Sequence, residues 1–302
     1  MAKSFKSLLQ SPKLEFLMEA HNGLSARIVE ETGFSGIWAS GLSISASYGV
    51  RDCNEASWTQ IVETLEFMSE CTTIPILMDA DTGFGNFNNV IRLVQKLEKI
   101  EIAGICIEDK LFPKINSLVK GFNQPLASIG EFCGKINAAK DTQKNKDFCV
   151  IARTEAFVTG YKVEEAIKRA SAYAEAGADG ILVHSKLDNP SEIIEFVKLW
   201  QKDTPLIIVP TTYNSTPTKL FRELGISIVI WANHNVRACI TAMREISKRI
   251  YLDSTTKEIE SKIAKLDDIF QLTNMLELKI SEEKYLKEFH DKFDNVLSSA
   301  KR

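Results

Sequence analysis

The sequence predicts a closed (β/α)8 barrel of the TIM type. Two observations carry that expectation. Eight short apolar runs alternate with stretches of helical period, and the polar residues best suited to chemistry stand just after those runs. Buried strands alternating with helices mark a parallel sheet, and eight repeats favour closure into a barrel. A barrel gathers its functional groups at the carboxyl ends of its strands. An open sheet would place its site where strand order switches and would use few of these positions.

The first run, 14–19, leads through Ala20-His21-Asn22-Gly23 into a helix over 24–31 that Gly33 stops. The second, 34–39, ends in Ser40-Gly41-Leu42-Ser43, a strand-to-loop turn, and the loop continues over 49–55 past Asp52. A helical period spans 58–71. The third run, 74–78, ends in Asp79-Ala80-Asp81 and a loop with two glycines. A helix over 88–100 follows, with Ile91, Val94, Leu97 and Ile100 at helical spacing. The fourth run, 103–107, ends in Glu108-Asp109-Lys110. An irregular stretch over 111–125 precedes a helix over 128–140. The fifth run, 148–152, ends in Arg153-Thr154-Glu155, and a helix over 163–176 stops at Gly177. The sixth, 180–183, ends in His184-Ser185 before a helix over 191–200. The seventh, 206–209, ends in Pro210-Thr211-Thr212, and a helix over 218–224 stops at Gly225. The eighth, 226–230, ends in Trp231-Ala232-Asn233-His234 before a long helix over 236–250. Beyond 253 the pattern is charged and helical. The expected division is therefore a barrel over 1–252 and a helical C-terminal extension over 253–302.

Composition narrows the classes of function. The net charge of -3 gives no reason to expect nucleic acid or an anionic membrane as partner. No apolar stretch approaches transmembrane length, and the N-terminus has no signal-peptide core. Cys53, Cys71, Cys106, Cys133, Cys149 and Cys239 form no C-x-x-C pair, which fits a reduced, cytoplasmic setting.

Asp79 and Asp81 point to the same side wherever strand geometry persists. Like charges so close repel unless a cation sits near them. Oxygen ligands beside a glycine loop favour magnesium, although an Asp-rich turn would use the same residues. Asp52 and Glu108 add carboxylates after runs two and four; each alone reads as a surface or ion-paired residue. Magnesium keeps several waters, so one or two carboxylates would bind directly and the others would hold its waters. Arg153 and His184 follow runs five and six. A guanidinium in a pocket implies an anionic substrate group, carboxylate or phosphate. A lone histidine after an apolar run is usually a satisfied core residue, but this one shares its strand end with the other sites. The backbone at Ser40 to Ser43 offers N–H groups to an oxyanion, though a plain turn would look the same. The 111–125 stretch is a candidate lid, carrying Lys114, Asn116 and Ser117 beside Lys110, with Gly121 as hinge. A mobile surface loop is the competing reading.

Trp38-Ala39-Ser40-Gly41-Leu42, Asp79-Ala80-Asp81-Thr82-Gly83-Phe84-Gly85-Asn86 and Glu108-Asp109-Lys110 resemble the isocitrate lyase/phosphoenolpyruvate mutase superfamily. The resemblance covers essentially the whole barrel, including Ala178-Asp179-Gly180-Ile181-Leu182-Val183-His184-Ser185 and Ile230-Trp231-Ala232-Asn233-His234. The lyases of that superfamily carry a lid cysteine as catalytic acid. This lid reads Leu111-Phe112-Pro113-Lys114-Ile115-Asn116-Ser117 and is similar to the mutase branch instead.

The resemblance implies interconversion of phosphoenolpyruvate and 3-phosphonopyruvate in phosphonate biosynthesis. It implies Asp79 as the direct magnesium ligand, with Asp52, Asp81 and Glu108 holding its waters. It implies that the Gly41 and Leu42 N–H groups bind the enolate oxygens and that Arg153 and His184 bind the phosphoryl group. Ser40 and Asn116 would also contact that group, and Lys114 would close with the lid. The implied catalytic set is Asp52, Lys114, Asn116, Arg153 and His184, with Trp38, Ser40, Gly41, Leu42 and Ser117 binding substrate. A homodimer that swaps its eighth helix, commonly paired into a homotetramer, is implied too, as is a phosphonopyruvate decarboxylase that removes the product. The nearest rival is a phosphonopyruvate hydrolase, which typically has Thr where this chain has Asn116. A carbon–carbon lyase or oxaloacetate decarboxylase is a second rival, disfavoured by the missing lid cysteine. A non-catalytic metabolite-binding barrel is a third, and it would not need a metal site and a closing lid together.

Overall fold

Side chains alternate along a strand, and that alternation decides which residues of this chain enter a barrel. The computed structural model describes residues 4–119, 121 and 124–286. Its eight strands are β1 (Glu15–Ala20), β2 (Gly36–Ala39), β3 (Ile76–Asp79), β4 (Gly104–Glu108), β5 (Cys149–Thr154), β6 (Gly180–Val183), β7 (Leu206–Ile208) and β8 (Ile228–Trp231). They pair in parallel, in sequence order, and β8 closes on β1. All eight expected runs are strands, and the barrel closes as predicted.

Leu17, Trp38, Leu77, Cys106, Ile151, Leu182, Ile207 and Ile230 fill the barrel interior. Two positions further along each strand, on the same face, come Glu19, Ser40, Asp79, Glu108, Arg153, His184, Val209 and Ala232. The apolar layer thus seats a second, mostly polar layer at the carboxyl end. The alternate residues of these strands, such as Ile37, Met78, Ile105, Val150 and Ile181, face outward into a larger core shared with the helices.

The helices are α1 (Phe5–Leu9), α2 (Gly23–Thr32), α3 (Gly41–Ser47), α4 (Trp58–Glu70), α5 (Phe87–Leu97), α6 (Ile129–Thr142), α7 (Val163–Glu175), α8 (Ser191–Leu199), α9 (Thr218–Glu223), α10 (His234–Asp253), α11 (Leu266–Leu272) and α12 (Met275–Tyr285). Two differ from expectation. The turn expected after β2 is the short helix α3, capped by Ser40, whose hydroxyl accepts from the Ser43 N–H at 3.2 Å. A serine at that position supplies the acceptor a helix start lacks. The other is α1, which was not foreseen.

Phe5, Leu8 and Leu9 of α1 are buried with the interior layer, at the amino-terminal mouth of the barrel. Glycines make the room. A methyl group at Gly180 would meet Leu9 Cδ2 at 3.2 Å, and one at Gly36 would meet Leu17 Cδ2 at 2.8 Å and Leu8 Cδ1 at 3.3 Å. Leu9→Ala should therefore cost about 3 kcal/mol of stability, the usual range for an emptied leucine site. Denaturant unfolding measures this, and a loss under about 1 kcal/mol would mean that the plug contributes little.

The chain divides into two compact units, Met1–Cys239 and Ile240–Arg302. The division falls inside α10, whose buried side chain is Val236. Of the extension expected over 253–302, α11 and α12 are helical as anticipated, and 287–302 lies outside the described residues. Among the described residues, no helix is long and apolar enough to cross a membrane.

Candidate active site

The polar layer surrounds a cavity of about 50 Å³ at the carboxyl end of the barrel. Trp38, Ser40, Leu42, Asp52, Asp79, Glu108, Lys114, Asn116, Ser117, Arg153 and His184 line it, all of them expected from the sequence. Leu118, Val209, Thr211, Ala232 and Asn233 complete the wall. Val209 and Ala232 are the apolar members of the upper layer, so one side of the cavity is dry. Gly41 and Asp81 stand just behind the lining. A methyl group at Gly41 would lie 3.2 Å from both Asp79 Oδ2 and Asp81 Oδ1. A side chain here would force the two carboxylates to give by a few tenths of an ångström.

Asp79 ends β3, but the strand does not persist to Asp81, which has a φ of 51°. The expected alternation therefore fails there, and a left-handed turn brings the second carboxylate round. Asp79 accepts two long backbone contacts, from the Gly41 N–H at 3.3 Å and the Asp81 N–H at 3.4 Å. Asp81 Oδ2 accepts from Asn54 Nδ2 at 2.6 Å, while Oδ1 lies 2.6 Å from Lys114 Nζ. The same ammonium lies 2.8 Å from Asp52 Oδ1. Lys114 thus stands between Asp52 and Asp81. Burial weighs against its charge, yet Asp81, Asp52 and Asp79 outweigh burial and hold its pKa well above the usual value. Burial also works against Asp52, but Lys114 and Asn116 hold its carboxyl below the ordinary value. Asp81 goes the other way. Burial, opposed by Lys114 and reinforced by Asp79 and Asp52, pushes it up to about 7.

The lid is closed over the cavity. Asn116 Nδ2 donates to Asp52 Oδ2 at 2.5 Å. The Lys114 N–H donates to Asn54 Oδ1 at 2.7 Å. Asn54, passed over in the sequence, therefore joins the Asp79–Asp81 turn to the lid through one side chain. Its neighbour Asp52 drew the attention, and its own φ of 59° is not visible in composition. Gly121 has a φ of 85°, which glycine adopts without strain. Lys120, Phe122 and Asn123 of this stretch lie outside the described residues.

Opposite the carboxylates, Arg153 Nη2 lies 3.2 Å from Glu108 Oε2, 3.1 Å from Ser117 Oγ and 3.0 Å from His184 Nδ1. Burial disfavours the guanidinium charge, but Glu155 and Glu108 hold its pKa well above the ordinary value. The cavity thus has Asp52, Asp79 and Asp81 around Lys114 on one side and Arg153 with His184, offset by Glu108 and Glu155, on the other.

The donor set suits a hard divalent cation. Glu108 Oε1 is buried without a hydrogen-bond partner, with the Lys110 ammonium 3.7 Å away, and Asp79 has only weak backbone donors within the structure's hydrogen bonds. Buried carboxylate oxygens left in that state are costly unless something else satisfies them. Among the described residues, no three Asp, Glu, His or Cys side chains group closely enough to hold an ion by themselves. A cation here would take one or two carboxylates directly and complete its shell with water, as magnesium does.

A family model described as phosphoenolpyruvate phosphomutase matches residues 5–251. The phosphoenolpyruvate phosphomutase of Tetrahymena pyriformis is 60% identical over 93% of this chain and 94% of its own. A crystal structure of phosphoenolpyruvate phosphomutase from Streptomyces platensis subsp. rosaceus superposes with a TM-score of 0.91. It is 41% identical over 93% of this chain and 98% of its own. A phosphonopyruvate hydrolase, solved in complex with oxalate and Mg++, superposes with a TM-score of 0.88. It is 40% identical over 93% of this chain and 97% of its own.

Proposed function

The chain belongs to the phosphoenolpyruvate phosphomutase family, and from that premise we propose that it interconverts phosphoenolpyruvate and 3-phosphonopyruvate. The observation that carries this reading is the closed lid, whose Asn116 is bonded to Asp52 over a cavity that holds carboxylates at one end and Arg153 with His184 at the other. No cysteine lies in the 111–125 stretch to serve a carbon–carbon lyase.

In the forward direction the carbon–oxygen–phosphorus linkage breaks at the oxygen–phosphorus bond. The electron pair stays on the pyruvate enolate, and the methylene carbon then attacks the same phosphorus. One bond breaks, one forms, and no proton is gained or lost. Transfer through a loose, metaphosphate-like state asks the protein for positioning and charge rather than covalent help. Arg153 and His184 hold the phosphoryl oxygens and keep them in place while the carbon swings in. Ser40, Ser117 and Asn116 border the same group. The Leu42 N–H, with the Gly41 N–H once it leaves Asp79 Oδ2, would meet the pyruvate carboxylate and enolate oxygens, with Trp38 packed below. Asp79 would hold magnesium directly, and Asp52, Asp81 and Glu108 would hold its waters. Bound there, magnesium supplies positive charge beside the enolate oxygens. Lys114 arrives with the lid and closes the cavity against water, which would otherwise capture the phosphoryl group.

Phosphorus NMR of the chain with magnesium and phosphonopyruvate tests the reading. A growing phosphoenolpyruvate signal is expected. Inorganic phosphate alone would make the protein a hydrolase, the activity named for its 40% identical structural relative. Asn116→Thr should shift the same spectrum. Thr cannot reach Asp52 as Asn116 does at 2.5 Å, so the lid closes less tightly and water gains access. The share of phosphate should rise several-fold; an unchanged product ratio would remove Asn116 as the residue that separates the two outcomes.

The assembly belongs to the same proposal. Met243, Ile250, Tyr251 and Leu252 of α10 are exposed in the single chain, as expected of an eighth helix exchanged between the barrels of a homodimer, with homotetramers built from such pairs. The cysteines are free thiols, in keeping with a cytoplasmic site of action. A phosphonopyruvate decarboxylase would draw the reaction forward.

A further inference from the structure

Granted the phosphoryl-binding role proposed above for Arg153 and His184, we infer that Glu155 is the positioning residue of this site. It aims both groups at the substrate and latches the lid over them.

Glu155 follows β5 directly and is fully buried. It is not part of the cavity wall, so it does not touch substrate. Its Oε1 lies 2.5 Å from Arg153 Nε and 2.7 Å from His184 Nδ1. Its Oε2 accepts from Ser117 Oγ at 2.6 Å and lies 3.3 Å from Lys110 Nζ. One carboxylate therefore joins both anion-binding groups to the lid. Lys110 strengthens the latch, donating to Ser117 Oγ at 2.5 Å and to the Ile115 carbonyl at 2.9 Å.

The contacts at His184 decide its proton. Nδ1 cannot donate to Glu155 and accept from Arg153 Nη2 at once. The carboxylate is the closer and the only anionic partner of the two, so Nδ1 carries the proton. Arg153 Nη2 has acceptors of its own in Ser117 Oγ and Glu108 Oε2. Nε2 then faces the pocket, where it donates to a phosphoryl oxygen in the doubly protonated ring that the Glu155 carboxylate favours. Charge tells the same story. Arg153 and Lys110 bring two positive charges, and Glu108 and Glu155 bring two negative ones. Burial disfavours the Glu155 carboxylate, but Arg153, His184 and Lys110 hold its pKa well below the usual range. Removing that one negative charge leaves this end of the cavity unbalanced, His184 Nδ1 without its anionic partner, and Arg153 held through Nη2 alone.

Nitrogen NMR of the full chain with labelled histidine reads the ring directly, since it holds only four histidines. Wild type should show His184 protonated at Nδ1 without substrate. In Glu155→Gln that signature should be lost, and kcat should fall about 10–100-fold, the usual cost of losing a supporting hydrogen-bond partner. KM should change less, because the groups remain but are misaimed. Glu155→Asp keeps the charge but is one methylene shorter, and should fall between. An unprotonated Nδ1 at His184 in wild type would overturn the inference without any variant. So would Glu155→Gln with unchanged His184 signals and near-normal kcat. The ring signals are read without turnover, so they stand even if the phosphorus spectrum shows a different reaction.

Discussion

Asp79→Ala should abolish turnover, lowering kcat/KM by about 10³-fold or more, while the barrel stays folded and about as stable. The two halves of that result have one cause. Asp79 is a buried carboxylate whose hydrogen-bond partners are two backbone N–H groups beyond 3.2 Å. Its charge repels Asp81 and is drawn to Lys114 and Arg153, so the two effects oppose each other. An alanine removes both and leaves no unsatisfied acceptor, so thermal unfolding should shift little. The same carboxylate is the proposed direct ligand of magnesium, whose charge at the reacting oxygens supplies several kcal/mol. Steady-state kinetics and a thermal melt on the same preparation test both halves. A near-normal rate would refute the ligand assignment. Lost activity with a collapsed melting curve would show that Asp79 serves the fold.

Lys114→Met should reverse that balance. Lys114 is 4% exposed and neutralises Asp52 and Asp81 at 2.8 and 2.6 Å. Methionine keeps the bulk and removes the charge, leaving two buried carboxylates facing each other. Removing one partner of a buried ion pair costs about 3–5 kcal/mol. That cost exceeds what a surface stretch needs to open, so the lid should lift locally while the barrel remains folded. Turnover should fall about 100-fold or more, since misplacement of this order has that effect. Limited proteolysis should cut within 111–125 faster than in wild type. A variant with normal turnover and a protected lid would show that Lys114 is not what holds it closed.

How much of this was legible in the sequence follows from the period of a strand. Leu77, Cys106, Ile151 and Leu182 are apolar because they fill the barrel; Asp79, Glu108, Arg153 and His184 lie two residues on and share the face. An apolar run ended by a polar residue therefore marks a site group wherever strand geometry continues. It stops at Asp81, whose positive φ no alternation foretells. Glu155 obeys the same rule one step beyond Arg153, but its run had already ended, and its part as the common partner of four groups depends on side chains from separate elements. Asp52, Lys114 and Asn116 sit on irregular chain, where periodicity says nothing; their loops read as an added carboxylate and a candidate lid, and the resemblance gave their roles. The helix α1 is too short for a period to show, and α3 is built from glycine and serines of weak helix propensity, so only its Ser40 cap announces it.

The α1 plug also sets the traffic of the enzyme. With Phe5, Leu8 and Leu9 stopping one mouth of the barrel behind its filled interior, the way into the cavity among the described residues is the carboxyl end, where the lid lies. Cation, substrate and product share that entrance. Water shares it as well, so the moment of product exit is also the moment of exposure.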